Sequence, residues 1–296
     1  MHGLQEETLV GLDYLQAVTA LLQRTRNAHP TLGLYEAADL QWWWGRPRPS
    51  DDVGQLFWRD DDGECVAGVV LTEWSDRVAL SPVFLPDASP ELVAYVVDRG
   101  LAHASESGYG AIEVEVSQDD AVLRDLLLAR GFAITEQGFI AEAWLDATSA
   151  VDVSQLHDGY RLTSRADTMD RPHHNGLTGP EVSERLLQTS LYRTGLDLLV
   201  VDANENQAAF GVFWFDDATA TGLVEPMRTE QEHQKRGLAR HVLTAGIGLL
   251  AAAGAERIKI CYEPSNPASG HLYRSVGFQD VKRTDAMSGQ SAAVRA

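Results

Sequence analysis

The sequence predicts an α/β protein, with a mixed sheet of α+β character, built as two tandem copies of one domain. Three observations carry this. The chain has 296 residues, about twice the usual 150 or so per domain, and each half is long enough to bury a core. Hydrophobic spacing switches repeatedly between three-to-four and two, so helices and strands are interleaved. The chain also resembles itself: Gly254 and Gly108, Gly277 and Gly131, and Phe278 and Phe132 all stand 146 residues apart, with a strand and then a helix expected between the glycines in both places.

In chain order, Leu9, Leu12, Leu15, Val18, Leu21 and Leu22 fall on one face of a helix. A second helical piece is expected over 36–44, ended by Gly45, Pro47 and Pro49. Strands follow over 55–58, 65–71 and 79–85, the first two joined by the turn Asp60, Asp61, Asp62, Gly63. A helix over 90–105, a strand over 112–116, a helix through 123–128 and strands near 132–134 and 139–144 complete the first copy. Small and polar residues over 147–158 mark the linker. The second copy offers a strand over 159–164, a helix over 180–191, strands over 198–201, 208–215 and 222–229, a helix over 237–253, a strand over 257–262, a helix over 268–275 and a strand opened by Gly277 and Phe278. The expected division is a first domain over 1–146, a linker over 147–158, a second domain over 159–283 and a frayed tail over 284–296.

Composition narrows the function classes. Hydrophobic residues make up 44% and charged residues 23% of the chain, ordinary globular usage that argues against wholesale disorder. The 24 Lys and Arg against 43 Asp and Glu give a net charge of -19, which repels phosphate backbones and anionic bilayers and attracts cations. Neither a nucleic-acid nor a membrane partner is expected. Cys65 and Cys261 stand in different halves, so no disulfide framework is expected. Glu6 and Glu7 replace the cations of a secretory leader, and 247–255 is too short an apolar run to span a bilayer. The reading is a cytoplasmic protein, monomeric or homodimeric.

One segment reverses the overall sign. After the strand ending near Thr229 come Gln234, Lys235, Arg236, Gly237, Leu238, Ala239 and Arg240, and then a helix. The first turn of a helix presents N–H groups without intrahelical partners and the positive end of its dipole. Gly237 lets a ligand approach the backbone closely and Ala239 keeps the turn open, so the three cations here call for an anion.

Strand, then Q/R-x-x-G-x-G/A, then helix resembles the acetyl-CoA-binding segment of the GCN5-related N-acetyltransferases (GNAT). Asn266, Pro267, Ala268 and then Leu272, Tyr273, Arg274, Ser275, Val276, Gly277, Phe278 are similar to the family's N-x-A…L-Y-x-x-x-G-F stretch. The resemblance implies that acetyl-CoA is the co-substrate, held by Gln234 to Ala239 and by Asn266, with its pantetheine arm between splayed strands over 222–229 and 257–262. Pro226 supports the splay independently, because it lacks the N–H a central strand needs. Free backbone near Met227 and Thr229 would then bond the pantetheine amides, with the Met227 N–H polarising the thioester carbonyl.

By motif position Tyr273 resembles the family's general acid; a purely structural Tyr273 is the bland alternative. Glu225 is the candidate base, placed by period two on the face of Met227 and Thr229, with Glu263, a water relay or an ion-pair role as rivals. Carried back 146 residues, Gly237 becomes Glu91, Gln234 becomes Ala88, Asn266 becomes Asp120 and Tyr273 becomes Leu127. The first copy is therefore expected to be degenerate and structural.

Other features of the sequence have simpler readings. Trp42, Trp43 and Trp44 face three directions on a helix and fit packing better than ligand stacking. His173 and His174 lack the i, i+4 spacing or nearby cysteines of a zinc site, so no metal is expected, although their segment is where the resemblance places an acceptor. Tyr192 and Arg193 either touch acceptor or brace the sheet. The function expected is acetyl transfer from acetyl-CoA to a primary amine of a small molecule, with a cationic one favoured by the charge. A peptide or protein amine, or a non-catalytic CoA-dependent binding protein, are the alternatives.

Overall fold

The computed structural model describes residues 3–149, 151–174 and 181–291. The elements in order are β1 (Gln5–Leu9), α1 (Gly11–Ala28), α2 (Ala37–Trp44), β2 (Gln55–Arg59), β3 (Cys65–Glu73), β4 (Val78–Phe84), α3 (Pro90–Glu106), β5 (Ala111–Ser117), α4 (Ala121–Ala129) and β6 (Ala133–Asp146). The second half continues with β7 (Tyr160–Ser164), α5 (Val182–Leu187), β8 (Asp197–Asp202), β9 (Gln207–Asp216), β10 (Thr221–Thr229), α6 (Leu238–Ala253), β11 (Arg257–Tyr262), α7 (Pro267–Ser275) and β12 (Gln279–Gln290). Three differences from the sequence reading stand out. β1 forms where the sequence pattern predicts no strand, the two strands expected near 132–134 and 139–144 are one, and Thr284 to Gln290, expected as part of a frayed tail, belong to β12. Pairing with β5 outweighs the polar, small-residue composition of that last segment. Of the helix expected over 180–191, residue 180 lies outside the described residues and α5 covers Val182–Leu187.

The repeat holds in three dimensions. β5 starts at Ala111 and β11 at Arg257, and α4 spans Ala121–Ala129 while α7 spans Pro267–Ser275, the same offset of 146 that the glycines show. Both long helices also carry a glycine at the matching place where they press on their sheets. A Cβ on Gly100 of α3 would meet Val69 at 3.0 Å, and one on Gly246 of α6 would lie 2.1 Å from the Phe213 ring. Any larger residue there would push the helix off its sheet.

The compact units do not follow chain order. One comprises Met1–Leu40, Pro47–Ile140 and Lys282–Ala296, the other Gln41–Arg46 and Ala141–Val281. In the first unit β1, β2, β3 and β4 form an antiparallel run, β5 joins β4 in parallel at Ala79 opposite Glu113, and residues 284–290 of β12 pair antiparallel with β5. In the second unit β7, β8, β9 and β10 run antiparallel, β11 joins β10 in parallel, and residues 141–146 of β6 pair with β11. Each half of the chain thus gives its closing strand to the other half's sheet. A boundary at 146, where the sequence reading divides the domains, would separate each sheet from its borrowed strand.

The first unit packs Trp58, Leu80, Val96, Val97, Val114, Leu127 and Met287 into one cluster. In the second, Lys259 of β11 is fully buried with its ammonium 3.4 Å from the Glu142 carboxylate of β6, which also accepts from the Trp144 indole at 2.7 Å. Removing one member of such a buried pair strands the other charge in a low dielectric, at a cost of about 3–5 kcal/mol. Glu142→Ala is therefore expected to lower stability by that amount in urea or thermal unfolding, and a loss below about 1 kcal/mol would show that the pair is well solvated.

Cys65 is buried and Cys261 exposed, both as free thiols. Of the tryptophan triplet, Trp44 is buried and donates to Gln188 at 3.2 Å, with the Arg185 guanidinium over its ring at 4.2 Å. Among the described residues, no helix is long and apolar enough to cross a membrane.

Candidate active site

The central strand of the second unit breaks where proline interrupts it. β10 pairs in parallel with β11 from Thr221 opposite Arg257 to Val224 opposite Ile260, and no described pair follows. On its other side the register with β9 slips between Val224 and Met227, then resumes with Met227 opposite Gly211 and Thr229 opposite Ala209. Pro226 sits inside this bulge, as its missing N–H requires. The two parallel strands therefore part beyond Val224, leaving the β11-facing edge of 225–229 without a strand partner. Thr229 lies on this stretch, and its hydroxyl is a buried polar atom with no hydrogen-bond partner.

The bulge corrects one detail of the sequence reading. Period two was expected to put Glu225 on the face of Met227 and Thr229, but Glu225 lies in the irregular segment, so the alternation does not extend back to it. Its position is set instead by Trp214 of β9, whose indole N–H donates to the Glu225 carbonyl at 2.8 Å. Trp214 is fully buried and packs against the Tyr192 ring with centroids 5.7 Å apart. Neither contact was readable from sequence, since nothing there pairs position 214 with 225.

The turn between β10 and α6 is the candidate anion site. Lys235 has φ +62° and Gly237 has φ +76°, and such left-handed residues turn successive N–H groups towards one side. Gly237 occupies the N-cap of α6, and no side chain caps the helix. The first-turn N–H groups, Leu238 and Ala239 among them, are thereby left for a ligand. Leu238 is buried and anchors the turn, while Gln234, Lys235 and Arg236 are exposed. The Gln234 side chain reaches the Thr229 carbonyl at 3.5 Å. Arg236 donates to the Tyr160 hydroxyl at 2.8 Å, and that hydroxyl lies 2.9 Å from His233 Nδ1. Arg240 differs from expectation: it bonds Ser275 Oγ at 2.7 Å and bridges α6 to the end of α7 instead of facing the loop.

The same place in the first unit is already filled. Ser89 caps α3 by accepting from the Leu92 N–H at 3.3 Å. Hydrogen bonds from the Glu91 N–H and from Ser89 lower the pKa of the Glu91 carboxyl. The helix start that would grip a phosphate thus holds the protein's own carboxylate. The parting of β4 and β5 survives as a cavity of about 340 Å³, lined in part by Tyr35, Phe84, Glu115, Asp120 and Leu123. The residue matching Tyr273, Leu127, is fully buried in the core.

Tyr273 of α7 is 8% exposed and packs between Tyr262 and Phe278, with ring centroids at 5.5 and 6.2 Å. A close approach allows this: a Cβ on Gly270 would lie 2.6 Å from the Tyr262 ring. Burial, then the nearby Cys261 and Glu225 charges, push the Tyr273 phenol up to about 12. The Glu225 charge felt at Tyr273 brings these two candidates into one neighbourhood. Glu263 is exposed and accepts from Ser265 at 3.3 Å. Asn266 is the N-cap of α7, its side chain making no capping bond. An uncapped helix, two left-handed residues in the turn, an orphaned threonine hydroxyl and a parted strand pair together fit a pantetheine diphosphate.

Comparison with known proteins agrees with this geometry. The Acetyltransferase (GNAT) family model matches residues 164–278. The mycothiol acetyltransferase of Clavibacter michiganensis subsp. michiganensis is 26% identical over 266 residues, covering 89% of this chain and 81% of the relative. That of Gordonia bronchialis is 30% identical over 108 residues, 36% of this chain and 35% of the relative. Among solved structures, a tandem GNAT protein from the clavulanic acid biosynthesis pathway superposes with a TM-score of 0.71 at 12% identity, covering 98% of this chain and 99% of that one. A GCN5-related N-acetyltransferase from Sphaerobacter thermophilus gives 0.64 at 13% identity over 98% and 96%. These two share the fold. Residues 164–278 thus match the GNAT family, the whole chain shares the fold of a tandem GNAT protein, and the findings together support an acetyl-CoA-dependent N-acetyltransferase.

Proposed function

We propose that the second copy transfers the acetyl group of acetyl-CoA to a primary amine of a small molecule by direct attack, and that the first copy is catalytically silent. The contrast between the two helix starts carries this reading: α6 begins uncapped at Gly237, whereas α3 begins on Ser89 and Glu91. The α6 turn, with Gln234, Lys235, Arg236 and Ala239, holds the diphosphate. The freed edge at Met227 and Thr229, with Asn266 beyond it, holds the pantetheine arm. Acetyl-CoA, when bound, supplies the activated thioester.

Glu225 takes the proton that the attacking ammonium must lose, directly or through one water, and its charge at Tyr273 favours it over Glu263. The new C–N bond forms as the C–S bond breaks, and Tyr273 gives its phenol proton to the departing sulfur. A phenol raised to about 12 is fully protonated at neutral pH, as an acid must be. The acceptor class draws on the relatives, which are named mycothiol acetyltransferases, and on the net charge of -19, which favours a cationic amine.

Release of CoA thiol across a panel of amines, with small cationic amines set against peptides, tests the proposal. Acceptance of small amines is expected, and turnover with peptides alone would overturn the acceptor class. Tyr273→Phe is expected to lower kcat by about 10²–10⁴-fold while leaving acetyl-CoA affinity within about twofold, because the ring packing survives. Since a raised phenol pKa keeps the proton on as pH rises, kcat should show no Tyr273-dependent decline below pH 11. A basic limb near pH 9 that vanishes in the Phe variant would contradict this.

A further inference from the structure

We propose that His173, His174 and Asp197 form a binding site for a divalent transition-metal ion of the Zn²⁺ type, with Tyr192 holding the carboxylate in place. Sequence spacing alone argued against a metal, because adjacent histidines do not share a helix face. The fold supplies the missing third ligand: Asp197 at the start of β8 comes to both rings. His173 Nε2 lies 3.0 Å from Asp197 Oδ2, and His174 Nε2 lies 2.6 Å from Asp197 Oδ1. One ligating atom from each of the three lies within 4.8 Å of the other two. The site is dry, the three side chains being 2%, 4% and 0% exposed.

Hydrogen bonding accounts for only part of this cluster. His173 bonds Asp197 Oδ2, and the Tyr192 hydroxyl donates to the same oxygen at 2.5 Å. The other pair is an ion pair. His174 Nε2 and Asp197 Oδ1 stand 2.6 Å apart, yet neither atom, nor His174 Nδ1, makes a hydrogen bond of good geometry. Buried polar groups favour well-directed partners, and these two face each other without the geometry of one. An ion between them would satisfy both.

The chemistry suits the proposal. Two imidazole nitrogens and one carboxylate oxygen make a borderline donor set that selects Zn²⁺ and its neighbours over Mg²⁺ or Ca²⁺. Bonds of about 2.0–2.1 Å put tetrahedral ligand atoms roughly 3.3 Å apart, so the carboxylate need open from each ring by under about 1 Å. The rings stack 4.5 Å apart and 25° from parallel, and closing on one ion asks each for a turn about its Cβ–Cγ bond. The Tyr192 hydroxyl fills the outer role common at such centres, orienting a ligating carboxylate through its second oxygen. Tyr192 also packs on Trp214, which holds the Glu225 carbonyl, so the centre would brace the strand that carries the proposed base.

The test is metal uptake by the full chain, with Zn²⁺ alone and Co²⁺ alone as probes. One equivalent of Zn²⁺ per chain is expected to bind at micromolar or tighter in chelator competition, and Co²⁺ should give visible absorption of a four- or five-coordinate ion. His174→Gln and Asp197→Asn should each weaken binding by a hundredfold or more and abolish the Co²⁺ spectrum, while His29→Gln, at an exposed histidine, should change neither. Should Asp197→Asn fail to fold, His174→Gln carries the test. No stoichiometric uptake, or uptake unaffected by His174→Gln, overturns the site and leaves a hydrogen-bonded clamp. The readout is independent of acetyl transfer, so its failure does not touch the proposed reaction.

Discussion

Gly237→Glu is expected to weaken acetyl-CoA binding by about a hundredfold to a thousandfold, or about 3–4 kcal/mol, in calorimetric titration. The substitution copies the first unit, where Glu91 already occupies the start of α3. Two costs add. A residue with a Cβ at φ +76° is strained by about 1–2 kcal/mol, and a carboxylate beside a diphosphate replaces the positive end of a helix with a like charge. Gly237→Ala separates them. A Cβ there meets nothing within 4 Å, so alanine carries the backbone strain alone and should cost about tenfold or less. Full affinity in the Glu variant would place the diphosphate elsewhere and remove the basis for calling the first copy silent.

Cutting the chain within 147–158 is expected to leave neither half folded by itself. A fragment ending at 146 loses residues 284–290 of β12, so β5 becomes an open edge and Met287 leaves the core. A fragment starting after the cut loses residues 141–146 of β6, and with them the Glu142 carboxylate beside fully buried Lys259. That second loss alone is worth about 3–5 kcal/mol, a large part of the stability of an ordinary domain. Each fragment alone should lack a cooperative thermal transition, and co-expression should restore one. Two fragments that each melt cooperatively would show that the borrowed strands are dispensable.

Much of the candidate site was legible in sequence because its chemistry is local. A glycine where the backbone must turn left-handed, cations beside it, and a helix after it are neighbours along the chain, and their meaning is fixed within a few residues. Pro226 likewise announced the parting of β10 from β11, since a missing N–H acts at one position. The repeat was legible because the core contacts of a duplicated fold keep their spacing.

What resisted reading was long-range pairing. Periodicity could place Glu225 on a face only while the strand stayed regular, and the bulge, with the Trp214 indole behind it, decided otherwise. Arg240 looked like a ligand-facing cation by proximity, yet Ser275 claims it from another helix. Composition made residues 284–290 a tail, and the open edge of β5 made them a strand.

The sequence by itself determined a duplicated α/β chain with the pattern of an acetyltransferase and one helix start suited to an anion, because those properties rest on spacing and on residue types within a turn or two. Only the tertiary structure decided that the copies exchange their last strands, and that Asp197 meets two histidines more than twenty positions away in sequence. Edge pairing and buried-charge compensation depend on which segments meet in space, and no local pattern encodes that.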